Sequence, residues 1–377
     1  MKVLHIAPTY FADSSFIGGA ERYTLALARA TANEAETVLL SFGAARETRR
    51  DGALRIELLR RSRLPGVGRL ATNPWSPAFA RLVHWADIVH CHQAYTLSTD
   101  LGILLARALH KKVFVTDLGG GHRRALSHAF PLLRRADGLL LISEYSRALW
   151  RDAPSRSRPS TLEVIWGGVD AVRFSPGDEH SSDETLFVGR LLPHKGVNYL
   201  VDAMPEDAPL RVVGRAYDER FLELVKSRAA GKQVIFETSA SDEDLVERYR
   251  RALVTVLPSV YDAIDGRHSR QPELLGLVVL ESMACGTPVI VTSVASLPEL
   301  VEDGKTGFVV PPNDAAALRE RIETLRRDRA LAAEMGRRAR AAVLERFTWP
   351  AVVRRCLQAY GGRTVGATAP EVQTSRS

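Results

Sequence analysis

Short apolar runs, each followed by a glycine-bearing or polar loop and then by a stretch of helical spacing, recur along this chain and constrain its fold more than any other feature. Residues 2–7 run into Pro8 and a loop carrying Gly18-Gly19, and residues 20–29 then show helical periodicity. Further runs stand at 37–40, 87–89, 113–116, 138–142 and 162–165, with helical segments such as 97–109 between them. Strands alternating with helices predict a parallel sheet covered on both faces, a Rossmann-like α/β arrangement. After Trp166-Gly167-Gly168-Val169-Asp170, the stretch 173–183 is rich in Pro, Gly, Ser and acids, as a linker is. A second series then begins, with runs at 185–188, 210–213, 233–236, 253–257, 288–291 and 307–309 and helical stretches at 314–327 and 331–345. A chain of 377 residues exceeds one ordinary core, so the expectation is two α/β domains, 1–168 and 169–348. A ligand belongs in the cleft between them, at the carboxyl ends of both sheets. Residues 361–377 lack apolar periodicity and are expected to form a disordered tail.

The most informative stretch is 272–290, PELLGLVVLESMACGTPVI, in which Glu273 and Glu281 stand with seven residues between them. A continuous helix would put residues eight apart about 80° from each other around the axis. Pro272 and Gly276 argue instead for a loop carrying Glu273, with the helix starting near Leu277 and Glu281 one turn inside it. A carboxylate on the otherwise apolar LVVLESMA costs energy unless partnered. The vicinal hydroxyls of a sugar would satisfy it, and so would backbone or a neighbouring arginine.

Other segments carry charge or glycine where strands end. Gly18-Gly19 before a helix lets the backbone approach an anion, although the loop has neither a GxGxxG nor a P-loop pattern. Val188 to Gly196 ends the first strand of the second series and bears Arg190, able to grip a diphosphate through paired donors, and Lys195, a point charge. Together they suit negative charge growing on a departing diphosphate. Val115-Thr116-Asp117-Leu118-Gly119-Gly120-Gly121-His122 should face the cleft, and Asp117 is the best acid there for orienting or deprotonating an acceptor hydroxyl. His90-Cys91-His92 also follows a strand. Adjacent strand residues point to opposite faces and no third ligand is evident, so no metal is expected, while His90 and His92 can line the cleft.

Composition bounds the setting. Cys91, Cys285 and Cys356 are few and far apart, which fits a reducing compartment and gives no zinc pattern. No apolar run approaches the roughly 20 residues that cross a bilayer, so a cytoplasmic protein is expected. Residues 1–168 hold 23 Lys+Arg against 14 Asp+Glu, and the remainder 28 against 30, so the whole positive excess lies in the first half. Its densest part, Arg49, Arg50, Arg55, Arg60, Arg61, Arg63 and Arg69 near Pro65, Trp75 and Phe79, reads as an anionic-surface patch or as a solvated Arg-rich face.

The Gly18-Gly19 loop, the Gly189-Arg190 to Lys195-Gly196 segment, the Glu273/Glu281 pair and the following Cys285-Gly286-Thr287-Pro288 together resemble the family 4 glycosyltransferases of the GT-B fold. The likeness runs from Met1 to about Tyr360 and includes Gly167 to Asp170. It implies retaining transfer of a hexose-type sugar from a nucleotide-diphosphate sugar to an acceptor hydroxyl, with no metal or other cofactor. Arg190 and Lys195 would hold the donor diphosphate, Glu273 the donor sugar and Glu281 the ribose. Gly276, Leu277 and Val278 would meet sugar or phosphate through backbone amides, Gly18 and Gly19 would approach the phosphates, and a last helix over 349–360 would cross back onto the first domain. Many relatives carry His where this chain has Asp117, so His92, Asp117 and His122 all stand as acceptor-side candidates. The polar loop 262–271, DAIDGRHSRQ, is a second departure, suited to selecting sugar or acceptor or to being plain surface. The implied acceptor is a cell-envelope glycolipid or polysaccharide precursor, met at the inner face of the membrane by the basic half, with no nucleic-acid partner. A small soluble acceptor, a nucleotide-sugar epimerase and a non-catalytic sugar-nucleotide binder are the alternatives.

Overall fold

The computed structural model describes residues 1–8, 19–62, 74–119, 125–177 and 182–361. Gly18, Arg63, Pro65, Arg69, His122 and the expected tail from 362 onward lie outside the described residues. The first half is an eight-stranded sheet of β1 (Lys2–Ile6), β2 (Glu36–Gly43), β3 (Glu47–Asp51), β4 (Leu54–Arg60), β5 (Ile88–His92), β6 (Lys112–Thr116), β7 (Gly138–Leu141) and β8 (Leu162–Val164), ordered β3-β4-β2-β1-β5-β6-β7-β8. Helices α1 (Gly19–Ala32), α2 (Phe79–Trp85), α3 (Leu97–Ala108) and α4 (Glu144–Asp152) accompany it. The second is a six-stranded sheet of β9 (Thr185–Val188), β10 (Leu210–Val213), β11 (Val234–Glu237), β12 (Val254–Leu257), β13 (Val289–Thr292) and β14 (Gly307–Val310), ordered β11-β10-β9-β12-β13-β14. It carries α5 (Val197–Ala203), α6 (Glu219–Arg228), α7 (Asp242–Arg251), α8 (Leu277–Ala284), α9 (Ala315–Arg327) and α10 (Arg329–Arg346), after which α11 (Trp349–Tyr360) ends the described chain.

Every strand pair is parallel except β3 with β4. Parallel strands buried on both faces need apolar side chains at successive positions, which is why the inner strands were visible as apolar runs; β8 and β11, at sheet edges, are only partly buried. β3 and β4 were not visible in this way, because Arg49, Arg50, Arg55 and Arg60 interrupt the pattern. β3 is the sheet edge, where one flank meets water and charges discourage pairing with another chain. Part of the arginine cluster is therefore an edge hairpin; Arg55 lies over the Trp85 ring at 5.3 Å from its centroid and 3.5 Å from Glu57.

The last helix returns to the first half. Trp349, Val352, Cys356 and Tyr360 of α11 share a core with Val3, Tyr23 and Phe114, and Lys112 donates to the Tyr360 carbonyl at 2.8 Å. Gly168 lets the chain turn there, since a Cβ at that position would lie 2.6 Å from the Trp349 ring. Strand order reverses between β1 and β5 in the first sheet and between β9 and β12 in the second. Such reversals open a crevice at the carboxyl ends of the strands. The loops leaving β9 and β12 carry Arg190 with Lys195, and Ser259 with Glu273.

Candidate functional site

The segment after β9 closes as a single turn, Pro193–Lys195, ended by Gly196 at φ 67°. A Cβ on Gly196 would sit 1.9 Å from the Pro258 carbonyl oxygen, so only glycine lets this turn lie against the loop after β12. That approach brings Lys195 to Glu273, 78 positions away: Nζ pairs with Oε1, and Ser259 Oγ donates to the same oxygen at 2.9 Å. Both side chains are nearly buried, at 12% and 9% exposure, and a pair so placed persists only because each charge meets the other. Arg190 is exposed and forms no ion pair with a described residue. Burial and the adjacent Lys195 push the His194 imidazole down to about 4, so it is neutral beside these cations.

Glu273 lies in a loop and α8 begins after Gly276, which takes φ 84°. A Cβ there would press Leu297 at 2.9 Å, so Gly276 fixes how the helix enters. The amides of Leu277 and Val278 open the helix with no intrahelical acceptor. Glu281 follows in the first full turn, buried, and accepts from Tyr249 Oη at 2.8 Å through Oε2, while Arg22 of α1 stands 3.8 Å from Oε1 across the cleft. Arg22 also pairs with Asp242, which meets Arg173 at 3.2 Å. Burial holds the Glu281 carboxyl above its ordinary range, and Arg22 and the Tyr249 hydroxyl pull it back.

On the facing side Asp117 is half-buried, with Gln93 Nε2 at 3.2 Å from Oδ1 and Trp150 Nε1 at 3.2 Å from Oδ2. Burial raises its pKa against the Trp150 bond. Gly119, at φ 74°, lies so near the donor side that a Cβ would stand 2.3 Å from Leu274.

The histidines correct the sequence reading in three ways. His90 and His92 are two residues apart, so they share one face of β5, and their rings stack at 4.4 Å. A third imidazole is present: His5 on β1 bonds His92 at 2.9 Å, and the three side chains offer nitrogens within 4.8 Å of one another. His90 and His92 are buried and do not line the cleft, which removes His92 from the acceptor-side candidates in this arrangement. Stacked rings hold their in-plane lone pairs parallel, not converging, and both His90 nitrogens are engaged by Tyr360 Oη and Thr116 Oγ1 at 2.7 Å. The cluster is a neutral one: burial lowers all three pKa values, His5 to about 3.

Sequence reading named Arg190, Lys195, Glu273, Glu281 and Asp117 but missed the residues that hold them: Tyr249, Ser259, Arg22, Gln93 and Trp150. Only Arg22 had a local signal, its place just after the glycine pair; the others reach their partners from distant segments.

Comparison with known proteins gives the family and the fold. The family model for glycosyl transferases group 1 matches residues 169–342, and that for glycosyltransferase family 4 matches residues 17–173. The chain is 30% identical over 315 residues, 73% of its length and 67% of the relative's, to a D-inositol 3-phosphate glycosyltransferase of Acidothermus cellulolyticus. It is 30% identical over 246 residues, 60% of its length and 63% of the relative's, to a GDP-mannose-dependent alpha-(1-6)-phosphatidylinositol monomannoside mannosyltransferase of Mycolicibacterium smegmatis. A crystal structure of HepE from Anabaena, in complex with UDP and glucose, superposes with a TM-score of 0.71 at 20% identity, over 96% of this chain and all of that one, a likeness of fold. Two facing α/β halves, both family matches and the Acidothermus relative, of which the match covers 67%, place this chain in the group 1, family 4 glycosyltransferases of the GT-B fold.

Proposed function

We propose that the chain is a retaining, metal-independent glycosyltransferase that moves a hexose-type sugar from a nucleoside-diphosphate sugar to a hydroxyl of a cell-envelope glycolipid or polysaccharide precursor. The observation that carries this reading is the nearly buried pair of Lys195, after β9, and Glu273, after β12, with exposed Arg190 in the same loop as Lys195 and the open amides of Leu277 and Val278 just after Glu273 in the chain. These groups supply fixed positive charge and donors for a diphosphate, and a carboxylate for sugar hydroxyls. Glu281, oriented by Tyr249 at Oε2, turns Oε1 to the cleft beside Arg22, where it would meet the ribose. In the reaction the bond from C1 to the donor phosphate oxygen breaks, and its electron pair leaves with the diphosphate. The acceptor oxygen forms the new bond to C1 on the same face, and its proton passes to the departing phosphate. Lys195 and Arg190 stabilise the charge that develops there, which is the part a metal would otherwise take. Asp117, fixed by Gln93 and Trp150, orients the acceptor hydroxyl.

The acceptor class draws on two relatives named for inositol-containing acceptors and on the excess of positive charge in the first half, suited to an anionic membrane face. No helix of the described residues is long and apolar enough to cross a membrane. Thermal-shift screening with UDP-, GDP- and dTDP-sugars identifies the donor, because a ligand that binds only the folded chain raises its melting temperature. Glu281→Ala and Arg190→Ala should abolish transfer while the fold persists, and unchanged turnover in either refutes the site. The anomeric configuration of the product, turnover in chelator, and sedimentation with anionic and neutral vesicles test retention, metal independence and membrane docking in turn.

A further inference from the structure

Helix α4 of the first half is bound at its N-terminus by a residue of the second. The first amides of a helix have no intrahelical acceptor. In α4 the cap residue Ser143 takes the amide of Ser146 at 3.1 Å, and Glu299 takes the two before it: Glu144 N–H donates to Oε2 at 2.8 Å and Tyr145 N–H to Oε1 at 2.6 Å. A carboxylate at a helix N-terminus is favoured by the helix dipole as well as by the bonds. Tyr145 adds a second tie, its hydroxyl donating to the Arg270 carbonyl at 2.7 Å in the loop that precedes Glu273.

What each partner is attached to gives this contact its meaning. Glu299 ends the single turn Leu297–Glu299. Ser296, just before the turn, donates to the Glu273 carbonyl from its amide and its hydroxyl, at 3.4 and 3.3 Å, and Leu297 in the turn and Leu300 just after it fill the space beneath Gly276. The turn is thus fixed to the donor-side loop and to the start of α8. Five residues beyond Tyr145, Trp150 of the same α4 holds Asp117. One short helix therefore runs from Glu299 to the acceptor-side carboxylate. We propose that Glu299 is a positioning residue for glycosyl transfer: by taking both open amides of α4 it docks the acceptor-side half on the turn that carries Glu273, and so sets the spacing between donor and acceptor. The positioning role rests on the glycosyl-transfer reading above, whereas the docking itself does not.

Docking takes the Glu299 carboxylate out of water, which raises its pKa to about 7 against the pull of the two amides. From α4 it is faced by Glu144, which raises it further, by Arg147, which lowers it and pairs with Glu144 at 2.5 Å, and by Tyr145; Tyr261 stands close to Tyr145 on the donor side. A docked pKa above the ordinary carboxyl value means the docked state binds the proton more tightly. Docking is therefore strongest below the ordinary carboxyl range, weakens by at most tenfold per pH unit for one proton as pH rises from there to about 7, and changes no further above it.

Hydrogen exchange on the whole chain, without substrate, reads the contact directly, since these two amides have no other acceptor. They should be protected in the parent chain, at least roughly tenfold, and fall to within about threefold of unfolded-chain rates in Glu299→Ala, while the β-strand amides keep theirs. Glu299→Gln, which keeps one accepting oxygen, should keep part of the protection and lose its pH dependence. Under transfer conditions Glu299→Ala should lower kcat at least about tenfold with donor KM within about twofold, as misplacement of two bound reactants does. Unprotected parent amides, or protection unchanged in Glu299→Ala, overturn the docking. Protection lost with kcat intact overturns the positioning role. Protection lost in a chain whose parent transfers no sugar supports the docking and overturns the reaction it was argued to serve.

Discussion

Replacing Tyr249 by Phe removes a single oxygen from the donor side and should cost stability in a pH-dependent way. The hydroxyl donates to Glu281 Oε2 at 2.8 Å inside the core, and the ring keeps its edge contact with Phe174 at 6.0 Å, so packing hardly changes. A hydrogen bond to an ionised acceptor contributes about 1.5–3 kcal/mol, and one to a neutral acceptor about 0.5–1.5 kcal/mol. Burial raises the folded-state pKa of Glu281, so the ionised form works against folding and its penalty grows as pH rises through that value. The Tyr249 hydroxyl offsets this penalty only when the carboxylate is charged. Tyr249→Phe should therefore cost about 2 kcal/mol near pH 8, where the bond meets a charged acceptor, and about 1 kcal/mol less in acid, as protonation turns the acceptor neutral. Urea unfolding of parent and variant in both conditions measures the difference. An equal cost at the two, or a larger cost in acid, refutes the assignment of this bond to an ionised Glu281. Donor binding by calorimetry should weaken about tenfold in the same variant near neutral pH, as the carboxylate loses the partner that orients it.

Gly196→Ala should lower the melting temperature markedly, since the new Cβ meets the Pro258 carbonyl at 1.9 Å and φ 67° adds strain of about 1–3 kcal/mol, whereas Gly19→Ala, with nothing within 4 Å, should leave it within a degree or two. Lys195→Ala leaves Glu273 buried with only Ser259 as partner and should cost about 3–5 kcal/mol; in a double-mutant cycle with Glu273→Gln much of that cost should disappear, and strict additivity would argue against a true pair. The buried histidines predict an acid limb. His5, neutral in the fold down to about 3, contributes stability that is complete above about 6.5 and falls by about 1.4 kcal/mol per pH unit below it, while Glu299 works in the opposite sense, so the change in urea midpoint from pH 7 to pH 5 should differ between the parent and His5→Phe, and an identical change would refute the burial of His5 as a neutral group.

The inner strands were legible because parallel, doubly covered strands must be apolar at successive positions. β3 and β4 were hidden by arginines that an edge tolerates. The break of α8 at Gly276 was legible from the residue alone, because a backbone at positive φ against Leu297 admits only glycine. His90 and His92 show the reverse. The sequence reading took neighbouring strand residues to opposite faces and overlooked that two residues apart they share one, and whether that face was wet or dry depended on α11, which arrives 270 residues later in the chain to lay Tyr360 on His90. His5 as their third member was likewise fixed by the pairing of β1 with β5.

By itself, the sequence determined two α/β halves, the charges and carboxylates at their strand ends, and the turn that separates Glu273 from Glu281, since each depends on neighbours a few residues away. Only the tertiary structure decided the partners: Lys195 with Glu273, Tyr249 with Glu281, Trp150 with Asp117 and Glu299 with α4. A buried polar group must be satisfied, but which distant group does so is set by strand order and by how the two halves meet, and no local pattern encodes either.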